Sequence, residues 1–146
     1  MPQTEKRPVD RLYEKIEAGG LAALTPSERW MFALTWLCIE TNGGGLHQFF
    51  FNDPGKFAAD AVVGLDTIGA SRSADVLRRA VALFPREHVP ADQTERRRVL
   101  NGLPEDVQWE RLGELTQEFW DAGEELARRV EDYVASHREL FPALHP

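Results

Sequence analysis

The stretch ETNGGGLHQFFFND, Glu40 to Asp53, joins an apolar helical pattern to three consecutive phenylalanines through three consecutive glycines. Gly43, Gly44 and Gly45 take φ > 0 without strain, and Asn42 is the next most tolerant residue. A helix ending near Thr41 is therefore predicted to close with a left-handed cap at Asn42 or Gly43. On a helix, Phe49, Phe50 and Phe51 would cover about 200° of the circumference at roughly 100° per residue. That is too wide for a helix with one dry face. Either the segment is buried on nearly all sides or one ring is left for a partner.

Two chemical readings of this stretch compete with a structural one. A glycine-rich loop ahead of a helix can cradle phosphate with its N–H groups, but GGGLHQ lacks the Lys-Ser/Thr of a P-loop and no strand precedes it. Cys38 and His47 are close enough in sequence to suggest a nucleophile and its base, yet nothing marks a third member or an oxyanion hole. A structural turn, with Cys38 on a helix face and His47 bonded across the bend, accounts for the same residues.

Outward from the bend, the chain reads as helices throughout. Pro8 to Ala18 carries Leu12 and Ile16 on one stripe, stopped by Gly19-Gly20. Thr25-Pro26-Ser27-Glu28 is a capping box with Pro at the first helical position, followed by an apolar run from Trp30 to Ile39 that belongs in a core. Phe57 to Ile68 and Ala74 to Phe84 follow helical spacing, with Gly69 and Pro85 as stops. Asp92 and Glu95 form another capping pair, and Arg96, Arg97 and Arg98 read as a solvated basic face. Trp109, Leu112, Leu115, Phe119 and Trp120 give a further stripe, interrupted near Asp121 to Gly123. A last long helix then runs from Leu126 to about Leu140. No alternating β-branched run or Asn-Gly hairpin occurs. The expectation is an all-α, single-domain orthogonal bundle of about six or seven helices spanning 1–146, with its core over about 9–141.

At 146 residues, 42 % apolar and 28 % charged, the chain has the composition of an ordinary globular domain. A single cysteine rules out an intramolecular disulfide and fits a cytoplasmic setting. The opening residues lack the apolar centre of a secretory signal, and no apolar run is long enough for a membrane span. Met1 to Leu103 hold 13 acidic and 13 basic side chains, whereas Pro104 to Pro146 hold 11 and 4, so the net charge of −7 resides in the last third. An acidic body of this kind disfavours direct nucleic-acid binding and favours a basic partner. Glu110, Glu114, Glu118, Asp121 and Glu125 recur at three- or four-residue spacing and form a candidate interaction edge. His47, His88, His137 and His145 are scattered and Cys38 is alone, so no metal site and no cofactor are expected. The surplus of Trp and Phe is compatible with an apolar self-interface and hence a homodimer.

NGGGLHQFFFN also resembles the signature of a bacterial domain of unknown function, akin to the C-terminal domain of a family named for a DNA-mimic protein. That pattern runs Asn-Asn-Gly-Gly, an aromatic, a variable residue, Gln, aromatics and Asn. Gly44, Gly45, Gln48, Phe49, Phe50 and Asn52 match it, with Asn42 and Gly43 completing the turn; Gly43 stands for the second Asn and Leu46 for the aromatic. Ile68-Gly69-Ala70, Ala80 to Phe84, Val89-Pro90 with Arg97, and Tyr133 with His137 and Phe141 extend the likeness over Val9 to Phe141. The resemblance implies an all-α fold, no catalytic residues, and an acidic surface that stands in for DNA to capture a DNA-binding protein. Duplex as long as a helix pair over Trp109 to Leu140, about 48 Å, would carry about 28 charges. Mimicry would therefore be local, or assembled across a dimer. The expected function is a non-enzymatic interaction module; the alternative is a small-molecule or enzymatic pocket built from Glu40, His47, Gln48 and Asn52.

Overall fold

A long apolar helix broken in the middle organises the molecule. In the computed structural model, which describes residues 6–145, α1 (Pro8–Gly19) leads through a 3-10 turn to α2 (Pro26–Phe51). A second 3-10 turn, Asp53–Phe57, opens α3 (Ala58–Thr67), followed by α4 (Ser71–Val81) and α5 (Gln93–Asn101). A π-helical turn at Asp106–Arg111 feeds α6 (Leu112–Asp121), and α7 (Leu126–Ser136) precedes two closing 3-10 turns. The seven helices make one all-α domain, and no strand occurs among the described residues. The last helix stops at Ser136, and Arg138–Leu140 continues as a 3-10 turn, so the helix predicted to reach Leu140 is shorter than expected.

α2 packs against α1, α3, α5 and α6, which is why it is apolar on more than one face. Trp30, Phe32, Leu34 and Leu37 are buried on its first limb and Leu46, Phe49 and Phe50 on its second. Phe51 is the ring of the triplet left half-buried. Each fully buried ring is worth about 2–3 kcal/mol of transfer free energy, so this helix supplies a large share of the core.

The start of α2 is locked as its sequence requires. Glu28 N–H donates to Thr25 Oγ1 at 3.1 Å, and Thr25 N–H donates back to Glu28 Oε1 at 2.9 Å. The box is also a tertiary junction. Glu28 is fully buried and accepts from Lys15 Nζ of α1 at 2.6 Å and from Ala143 N–H at 2.7 Å. Thr25 Oγ1 donates to Leu140 O at 2.7 Å. One cap thus holds α1, α2 and the C-terminal segment together.

Candidate functional site

The bend in α2 differs from the cap expected at Asn42 or Gly43. The helix continues through both residues, and the break falls at Gly44 (φ −158°, ψ 25°) and Gly45 (φ 77°, ψ −176°). Only Gly45 has a backbone that favours glycine; Gly44 is needed for space, because a Cβ there would lie 2.1 Å from Gln48 Oε1. The reason is tertiary. Leu46 N–H, freed by the break, donates to Thr116 Oγ1 of α6 at 2.9 Å, so α6 caps the second limb and places the kink. Gly45→Ala forces a conformation almost restricted to glycine and brings its Cβ to 3.1 Å from Thr116 Oγ1. It is expected to cost about 2 kcal/mol in urea unfolding, and a loss below about 0.5 kcal/mol would mean that the bend is not held from α6.

Inside the bend, Gln48 Nε2 and Asn52 Nδ2 both donate to Glu40 Oε2, at 2.7 and 2.8 Å. Glu40, 8 % exposed, therefore ties the two limbs together. Three of the four residues of the alternative pocket are thus brought together, and Glu40 and Asn52 border a cavity of about 490 Å³. His47 lies outside this cluster. It stacks 4.3 Å from the Trp109 ring and 6.1 Å from Phe51, whose other neighbour is the Arg97 guanidinium at 4.1 Å. Burial lowers the His47 pKa, and its Nε2 has no hydrogen-bond partner among the described residues. Asn42 is exposed and accepts from Trp120 Nε1 at 3.2 Å.

The arginine triplet is not the solvated face that its composition suggests. Arg96 is fully buried. Its Nε donates to Phe50 O at 2.7 Å, Nη2 to Asn52 O at 2.7 Å, and Nη1 to Pro90 O and Ala91 O at 3.0 and 3.1 Å. Arg97 Nε donates to Phe51 O at 2.8 Å. The Phe50, Phe51 and Asn52 carbonyls are those left open at the end of α2, where the helix dipole also favours a cation, and the Pro90 and Ala91 carbonyls belong to the segment before α5. Arg98 remains outside, bonded to Glu95.

The acidic edge lies mostly on α6 and the π-turn before it. Glu110, Glu114, Glu118 and Asp121 are all exposed. Glu114 pairs with Arg111 at 3.1 Å and Glu118 with Arg79 at 2.9 Å, while Asp121 accepts from Gln117 at 2.9 Å. Glu125 comes after the break and starts α7 in a left-handed conformation, φ 49°. Among the described residues, Glu105, Asp106 and Glu110 have no ion-pair partner. Trp109 and Trp120, expected on the apolar stripe, are 60 % and 47 % exposed. Trp109 lies in the π-turn next to Glu110, and Trp120 lies in α6 next to Asp121. The core side of α6 is left to Leu112, Leu115, Thr116 and Phe119.

No nucleophile pair forms. Burial pushes the Cys38 thiol up to about 11, and among the described residues no hydrogen bond joins it to His47. Its reaction with iodoacetamide at pH 8 is expected to be about 100-fold slower than that of free cysteine, in proportion to the thiolate fraction. Cys38 itself is only half-buried, so a rate within a few-fold of free cysteine would mean that its surroundings do not suppress the thiolate. Among the described residues no group of three or more His, Cys, Asp or Glu side chains could hold a metal ion, and no helix is long and apolar enough to cross a membrane.

The sequence profile of the DMP19-like protein family matches residues 22–137, a span that takes in α2 with its bend, the arginine clamp, the acidic edge and α7. No curated protein and no solved structure matches the chain. On the extent of that match, the chain belongs to the DMP19-like protein family.

Proposed function

We propose that this protein is a non-enzymatic interaction module whose α6 face binds a basic surface of a partner protein, of the kind that otherwise contacts DNA. The carrying observation is the coincidence of charge and aromatic exposure. The last third holds the whole net charge of −7, and within it four exposed carboxylates and two exposed tryptophans lie close together in sequence between Trp109 and Asp121. Tryptophan is enriched among residues that dominate binding energy, and carboxylates beside it steer a cationic partner into place. Membership of a family named for a DNA-mimic protein supports the same reading.

The size of the face sets the scale. Asp106 to Asp121 is 16 residues, about 24 Å at 1.5 Å per residue. Duplex of that length carries about 14 phosphate charges, against five carboxylates and one arginine here. The face therefore suits one recognition helix, and a longer mimic would need a second copy beside the first.

The test is capture of the partner from the source cell at low and high salt, since screening shortens the reach of exposed charges from about 10 Å at 0.1 M to about 3 Å at 1 M. A Glu110→Lys, Glu114→Lys, Glu118→Lys triple variant is expected to bind at least about tenfold more weakly. Glu110→Lys with Asp121→Lys, which leaves both ion pairs intact, should lose affinity in the same direction. Binding unchanged in both folded variants would refute the assignment.

A further inference from the structure

We propose that the cavity between α1, the first limb of α2 and the Asp53–Phe57 turn is a binding site for a small secondary or tertiary alkylammonium group. This site is separate from the α6 face and does not depend on the reading above. Tyr13, Phe32, Trp36 and Phe57 line it, together with Glu40 and Asn52. Ring centroids are 5.2 Å apart for Tyr13–Phe32, 6.1 Å for Tyr13–Trp36 and 5.6 Å for Phe32–Phe57, all edge to face. These are direct ring contacts: Phe32 and Phe57 are buried behind, and Tyr13, 38 % exposed, and half-buried Trp36 are the rings more open to the space. Their negative faces attract a cation within about 6 Å of the centroid.

Charge selects what such a box holds. Glu40 is 8 % exposed, and its Oε2 is occupied by the Gln48 and Asn52 amides. Its Oε1 accepts no hydrogen bond among the described residues, nor does the carboxylate pair with any cation there. A nearly buried carboxylate without a counter-charge is costly. The other two charged lining residues, Asp53 and Lys56, pair with each other at 3.1 Å and offset each other. The lining thus keeps one net negative charge. Lys56 Nζ lies 5.2 Å from the Phe57 centroid, so a cation of the protein already uses one of these rings without reaching Glu40.

Hydrogen-bond arithmetic narrows the ligand. The free Glu40 oxygen can accept one or two N–H groups, and the aromatic walls take alkyl groups. A quaternary ammonium has no N–H to offer, and a primary one brings a third N–H that this oxygen cannot accept. Trp36 Nε1 is also buried and has no hydrogen-bond partner among the described residues. A hydroxyl on the ligand would give it an acceptor. An amino alcohol such as dimethylethanolammonium has all three features. A dimethyl-lysine side chain on a protein has the first two.

The experiment is an NMR titration of the full chain at pH 7, following the Trp36 indole N–H. Its arms are N,N-dimethylethanolamine, choline, the neutral isostere 3-methylbutan-1-ol, and a peptide carrying dimethyl-lysine. Saturable shifts are expected with the tertiary amine or with the peptide, the tighter of the two identifying the source. The neutral alcohol should bind at least about tenfold more weakly, and choline several-fold more weakly. Glu40→Gln is expected to weaken binding at least about tenfold and Tyr13→Ala about fivefold, whereas Trp109→Ala, at the other face, should change nothing. Tyr13 is 38 % exposed, so its variant carries the test should Glu40→Gln fail to fold. The proposal is overturned by the absence of saturation with both cations below about 50 mM, by an equally tight neutral alcohol, or by wild-type affinity in folded Tyr13→Ala.

Discussion

Arg96→Met is expected to lower the unfolding free energy by about 4 kcal/mol, at the upper end of single-substitution effects. The wild-type guanidinium is fully buried and occupies the carbonyls of Phe50, Asn52, Pro90 and Ala91. Methionine fills part of the volume but gives no donor. Four carbonyls are left short of a partner where water cannot easily reach them, at about 1–3 kcal/mol for each group that stays unsatisfied. Some relaxation offsets part of that sum. Arg96→Lys should recover only a minor fraction, because an ammonium on a flexible stem cannot span carbonyls from two chain segments as a planar fork does. Urea unfolding with an unchanged m-value checks the magnitude. Hydrogen exchange should show the second limb of α2 and the Asp53–Phe57 turn losing protection first. A loss under about 1 kcal/mol would mean that the clamp is incidental.

Glu28→Gln is expected to cost about 3 kcal/mol at neutral pH, with a characteristic pH dependence. An amide can still accept from Thr25 N–H, but its NH2 would face Ala143 N–H, donor against donor, and the Lys15 ammonium would lose its counter-charge. Burial pushes the Glu28 carboxyl up, but the Lys15 ammonium and the Thr25 and Ala143 amides outweigh it, so the folded pKa lies below the ordinary value. A depressed carboxylate contributes stability that is fully present above its unfolded pKa, about 4.3, and is lost as pH falls through the folded value. The gap between wild type and Glu28→Gln should therefore be constant from pH 7 to about 5 and narrow below about 4.3. Comparing the two proteins isolates this residue from Glu124, whose pKa is also lowered, with burial again opposing and the Ser73 amide prevailing. A gap that stays flat down to pH 3 would show that the charge of Glu28 does not hold the junction.

The helices themselves were legible in the chain because their signals are local. The capping box at Thr25 and Glu28, the cap of Asp92 on Glu95 N–H, and the break near Asp121 to Gly123 all depend on hydrogen bonds spanning three or four residues. The arc of Phe49, Phe50 and Phe51 on a helix left open whether all three are buried or one stays out, and packing buried Phe49 and Phe50 and left Phe51 half-buried. Position along the bend was harder to read. Asn42, Gly43, Gly44 and Gly45 all tolerate a turn, and the choice of Gly45 was made by Thr116, 70 residues from the Leu46 N–H that it accepts. Among the arginines, composition cannot say which of three consecutive side chains goes inward; the open carbonyls at the end of α2 made that choice for Arg96. Trp109, in the π-turn, and Trp120, in α6, both read as part of one apolar stripe, and packing left both exposed.

Sequence alone settled that this protein is a helical domain with its excess negative charge in the last third, since amphipathic spacing, caps and charge counts need no partner elsewhere in the chain. Tertiary structure alone decided what the residues around the bend do. Gln48 and Asn52 serve Glu40, and Glu40 in turn faces an aromatic cavity. Such roles arise from contacts between segments that meet only after folding, when buried polar groups must find partners or remain costly.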